Sequence, residues 1–157
     1  MNLEEVLKPE QVFCRIQVAS KKKALEDSAG LIADNLPRSS KEDIFEHLIA
    51  REKLGTTALG HGIAIPHCRL PELREIVCAL ITLQEPVDFG AFDNEGVQIV
   101  FVLLVPEAET DRHLAVLASI AELAESAAYR DSLRRAADAQ SLYQHAVSPP
   151  GADVKTA

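Results

Sequence analysis

The sequence predicts a layered α/β domain, a central mixed β-sheet flanked by helices on both faces. Three observations lead there. Segments with helical periodicity stand at both ends of the chain, and runs of branched apolar residues fill its middle. The last of those runs, "VQIVFVLLVP", is apolar at nearly every position, the pattern of a strand covered on both faces.

The elements follow in order. "SKKKALEDSAGLIADNL" sets Ala24, Leu25, Ala29, Leu31 and Ile32 near helical spacing behind Ser20 as N-cap, and Pro37 stops it. "SSKEDIFEHLIAREKLG" opens with Ser39 and Glu42 in capping-box relation, carries Ile44, Phe45, Leu48 and Ile49 on one face and ends at Gly55. Three strands come next: "GIAIPH", "IVCALITL" over 76–83 and "VQIVFVLLVP" over 97–106. Between the last two, "EPVDFGAFDNEG" supplies turn residues. Thr110 caps a helix with Leu114, Leu117, Ile120, Ala121 and Leu123 as its apolar positions. Two shorter helices follow, around Tyr129–Arg135 and, behind Asp138, around Ala139–Val147. The domain spans 1–147, and the tail over 148–157, "SPPGADVKTA", reads as disordered.

Composition excludes several function classes. With 157 residues the chain fits one domain, and its 47% hydrophobic and 25% charged content is that of a soluble globular protein. A formal charge of −8 argues against a nucleic-acid partner and favours a basic protein one. The only tight basic run, Lys21–Lys23, reads as decoration of a solvated helix start. No signal peptide or apolar run of about 20 residues is present, which predicts a cytoplasmic protein without membrane insertion. Cys14, Cys68 and Cys78 are odd in number and lack CxxC spacing, so reduced thiols are expected.

The chemistry concentrates in "GHGIAIPHCR". Gly55 and Gly60 have phosphate-loop separation, but His61 and Gly62 stand where Lys and Ser or Thr are required. Gly60 and Gly62 then read as a turn needing positive φ or close backbone approach. Pro66 lacks an N–H and interrupts the strand, leaving His67 at a loop mouth. A neutral imidazole there is a competent nucleophile; the bland alternative is a strand-end histidine bonded to nearby backbone. His61, His67, Cys68 and His113 compose a possible ligand list, but an extended chain holds His61 and His67 too far apart for one metal. Cys68 faces away from His67 in a continuing strand, and Cys78 reads as core packing. His113, near the first turn of the helix after the buried strand, can meet His67 across the mouth or remain a solvated helix residue. Arg51 either complements its helix C-terminus or offers charge to a phosphoryl group. His47 and His145 read as structural.

"REKLGTTALGHGIAIPHCRL" and "LVPEAETDRHLAVL" together resemble the EIIA domains of the bacterial phosphotransferase system, of the mannitol/fructose type and within it of the nitrogen-regulatory branch. The resemblance runs from about Leu3 to Val147. It implies that His67 is the phosphoryl acceptor, that His113 supports it and that Arg51 flanks the pocket, with Gly60 and Gly62 before the active strand. It implies no metal or other cofactor. It also implies an HPr-like donor (NPr in this family) and regulatory targets such as potassium-transport regulators or sensor kinases. The alternatives are a sugar-type EIIA passing phosphate to an EIIB during fructose or mannitol uptake, and a non-catalytic binding module. Two departures stand out: Cys68 replaces the glycine usual after the active histidine, and His61 the asparagine frequent between the glycines. The first leaves room for an exposed, modulating thiol.

Overall fold

The computed structural model describes residues 2–150, so the predicted tail lies outside the described residues from 151 onward. After a 3₁₀ turn at Leu3–Glu5, the elements run β1 (Leu7–Ile16), α1 (Lys21–Ala33), α2 (Lys41–Lys53), β2 (Ala58–Gly60), β3 (Ile63–Ala64) and β4 (His67–Arg69). The chain continues with β5 (Val77–Val87), β6 (Val97–Val105), α3 (Asp111–Ala124), α4 (Ala127–Arg135) and α5 (Ala139–Val147).

The sheet is mixed, in the order β1-β5-β6-β3-β2, with β4 also on β6. β1 runs parallel to β5, and β3 and β4 parallel to β6, while the β5–β6 and β2–β3 pairs are antiparallel. Alternation along β6 splits the core in two. Ile99, Phe101, Leu103 and Val105 pack with Val116, Ile120, Leu133 and Leu142 of α3–α5. Val100, Val102 and Leu104 pack with Ala29, Ile32, Ile44 and Leu48 of α1 and α2. Both faces of the sheet are therefore covered, as its unbroken apolar strand requires.

Several local expectations need correction. β1 is not foreseen, because "LKPEQVFCRI" lacks strict alternation and contains Pro9; as an edge strand it tolerates the proline, and its pairing with β5 is irregular. The N-cap of α2 is Ser40, whose hydroxyl accepts from Asp43 N–H, while the Ser39 hydroxyl turns to Glu72. Thr110 occupies the N-cap of α3 but makes no side-chain cap bond. The buried stripe of α3 is Val116, Ile120 and Ala124, and Leu114 points outward, 59% exposed. The predicted α4 and α5 stand, the latter capped by Asp138. Tyr129 on α4 is buried and donates to the Ala146 carbonyl at 2.8 Å, tying the two helices together.

The predicted "GIAIPH" strand is two pieces, β3 and the start of β4, separated by Ile65 and Pro66. Gly60, His61 and Gly62 form a turn with φ of 92°, 57° and 79°. The His61 N–H is held by Asp93 Oδ2 at 2.8 Å and its carbonyl by Arg134 Nη2 at 2.5 Å. A Cβ at Gly62 would meet Arg134 Nη2 at 2.5 Å, and one at Gly60 would lie 2.8 Å from the Phe92 ring. Both glycines are thus required by conformation and by close approach. Gly62→Ala is expected to cost about 1–3 kcal/mol, measured as a lowered midpoint at unchanged m in urea unfolding.

Candidate functional site

The site begins with the interruption after β3. The register against β6 is the same on both sides of it, Ile63 facing Ile99 and His67 facing Leu103. The Pro66 carbonyl accepts from Leu103 N–H at 2.9 Å, but Pro66 has no N–H to return. Ile65 turns its amide the other way, donating to the Thr57 carbonyl at 3.0 Å. Its own carbonyl receives the His67 Nδ1 at 2.7 Å. A carbonyl can only accept, so Nδ1 carries the proton and Nε2 keeps the lone pair.

His113 comes to this ring from the other side, its centroid 5.7 Å from that of His67 at an interplanar angle of 57°. The meeting of strand end and helix start expected from the sequence is therefore present. His113 Nε2 is shielded from solvent and has no hydrogen-bond partner among the described residues. Burial foremost, then the charges of His67 and Arg69, holds His113 below the usual imidazole range. His67 is also lowered, first by burial and next by Arg51; its bond to Ile65 and the Glu52 charge oppose this. Both rings are thus kept toward the neutral form.

Arg51 stands in the last turn of α2. Its Nη1 donates to the Gly55 carbonyl at 2.9 Å, satisfying the end of α2, and its charge is felt at His67. Beside it, Glu52 is 5% exposed and accepts from Thr57 N–H at 2.9 Å, Thr57 Oγ1 at 2.7 Å and Lys21 Nζ at 3.4 Å. Lys21 is therefore not surface decoration: it reaches from the first turn of α1 to a buried carboxylate on α2. Glu52 is absent from the sequence-derived site. Its signal is positional, since an acid in the last turn of a helix opposes the negative end of the dipole and needs another reason to be there.

Cys68 does face away from His67, into the α1–α2 core layer. It is not an exposed thiol: burial foremost, with Asp43 and Glu72 adding to it, pushes it up to about 12. His61 sits exposed at the glycine turn, its backbone rather than its ring engaged with Asp93 and Arg134. Among the described residues no group of three His, Cys, Asp or Glu side chains is gathered as a metal site.

The "Phosphoenolpyruvate-dependent sugar phosphotransferase system, EIIA 2" family profile matches residues 5–146. The chain belongs to the EIIA type-2 family. It is 47% identical over 144 residues to a nitrogen regulatory protein of Pseudomonas aeruginosa, covering 92% of this chain and 94% of that protein. It is 40% identical over 150 residues to one of Bradyrhizobium diazoefficiens, covering 96% and 97%. The crystal structure of the nitrogen regulatory protein IIA-Ntr of Neisseria meningitidis superposes with a TM-score of 0.85 at 37% identity, covering 92% and 98%. The mannitol IIA of Escherichia coli shares the fold alone, with a TM-score of 0.74 at 18% identity over 88% and 97% of the two chains. This EIIA chain is thus similar to nitrogen-regulatory members along nearly its whole length, and its α/β/α layering is that of the family. No helix among the described residues is long and apolar enough to cross a membrane.

Two measurements probe the site without a partner. In an NMR titration the His67 ring is expected to protonate below the ordinary 6.5. Arg51→Ala removes a cation that disfavours imidazolium and moves that midpoint up, whereas Glu52→Gln removes an anion that favours it and moves it down. Native Cys68 is expected to resist alkylation at pH 8 and to react at full rate in denaturant, since only the thiolate is nucleophilic.

Proposed function

We propose that this protein is a cytoplasmic phosphohistidine carrier and regulator that accepts a phosphoryl group on His67 Nε2 from an HPr-like carrier (NPr). The observation that carries the proposal is the 2.7 Å bond from His67 Nδ1 to Ile65, which leaves a neutral ring with its lone pair on Nε2. In the transfer, that lone pair attacks phosphorus in line while the donor N–P bond breaks and its electrons return to the donor imidazole. The Nδ1 proton stays in place, and the Ile65 carbonyl stabilises the positive charge the ring acquires. Arg51 and His113 flank the transferring oxygens and spread their negative charge.

The output is regulatory on this reading. A phosphoryl group adds a charge of about −1.5 to −2 to one surface and so changes which proteins that surface accepts. Potassium-transport regulators and sensor kinases are the target classes. Similarity supports the regulatory branch over sugar uptake: identity to the mannosylglycerate-specific EIIABC component of Escherichia coli is 30% over 122 residues, against 47% to the Pseudomonas aeruginosa nitrogen regulatory protein.

The test is incubation with an HPr-like carrier charged from labelled phosphoenolpyruvate. The wild type is expected to take up acid-labile, alkali-stable label, and His67→Ala none. His113→Ala should still label, slower by about 100-fold, as for loss of one group that stabilises the transferring charge. Undiminished labelling of His67→Ala would sink the proposal.

A further inference from the structure

Arg69 stands two residues beyond His67 on β4, so both side chains leave the same face of the sheet. Its partner across the ladder is Val105, the last residue of β6, and Leu70 N–H closes the pair on the Val105 carbonyl at 2.9 Å. Past that point the chain must turn into α3, and Arg69 Nη1 meets that turn. It donates to the carbonyls of Glu109 at 2.6 Å and Glu107 at 2.9 Å, with Pro106 at 3.3 Å as the weaker third acceptor.

The helix it precedes needs such a hold. Thr110 makes no cap bond, and its hydroxyl reaches only the Ala108 carbonyl at 3.4 Å. The first deeply buried residue of α3 is Val116, so core packing begins after His113. Within the turn itself, Glu109 N–H returns to Pro106 at 3.2 Å. The start of α3 is therefore fixed from outside, by a cation on the strand that carries His67.

We infer that Arg69 is a positioning residue: it clamps the 106–109 turn so that His113 is held against His67, making β4 the bearer of both the acceptor and the device that sets its neighbour. This rests on the reading of His67 as acceptor and His113 as its support. The guanidinium's hydrogen bonds go to the 106–109 turn, and the charges felt at His67 are those of Arg51 and Glu52, so its effect passes through His113. A purely electrostatic part for Arg69 is the rival, since its charge also lowers His113.

The experiment compares Arg69→Gln and Arg69→Lys in the full chain by labelling rate and by NMR, with urea unfolding to show that each folds. In Arg69→Gln the label is expected to reach the same final extent on His67, but more slowly by about the factor seen for His113→Ala. The double variant should be no slower than His113→Ala alone, because residues acting through one another are non-additive. The ring-to-ring NOE expected at 5.7 Å should weaken in both Arg69 variants. Arg69→Lys keeps the charge without the planar fork and should retain the rate loss. A wild-type rate in either variant, an additive double variant or an unchanged NOE would overturn the inference. If the wild type takes no label, the functional reading fails. The NOE then still decides whether Arg69 positions His113.

Discussion

The hydrogen bond from His67 to the Ile65 carbonyl is the constraint around which the site is organised. Ile65 can offer that carbonyl because Pro66 interrupts the ladder there, and the interruption leaves the register against β6 unchanged. The imidazole therefore takes its tautomer from the backbone two residues before it, in a sheet whose central strand is buried on both faces. A histidine on a loop would have to order itself at each encounter; this one is ordered by the same pairing that builds the core.

Around that bond the charges are arranged in opposition. Arg51 and Glu52 are neighbours on one helix turn, and the first discourages protonation of His67 while the second favours it. Glu52 is buried, and Thr57 and Lys21 give its carboxyl group three donors. The same carboxylate fixes the bend from α2 into β2, so the electrostatics of the site and the geometry of its entrance share one group.

Much of this was legible in the sequence. Helical periodicity gave α2, the Asp138 cap marked α5 and an unbroken apolar run gave β6, and the conflict between an apolar run and Pro66 located the broken strand. His67 and His113 could be paired because each follows the end of a strand. What escaped depends on partners distant in sequence. Glu52 looks like an ordinary helix-surface acid until Lys21, 31 positions earlier, closes over it. Arg69 gains meaning only from three carbonyls that lie 37 to 40 positions later. β1 has no clean alternation because it is an irregular edge, and the choice between Ser39 and Ser40 as cap turned on Glu72, which takes the first hydroxyl. Local patterns report local forces, and these features are set by long-range contacts.

The tie between Tyr129 and Ala146 has an optical consequence. The chain has no tryptophan and two tyrosines, so its intrinsic fluorescence comes from Tyr129 and Tyr143, on α4 and α5. Emission therefore reports whether those two C-terminal helices remain docked, and through the bond from Arg134 of α4 to the His61 carbonyl the glycine turn before His67 is joined to one of them.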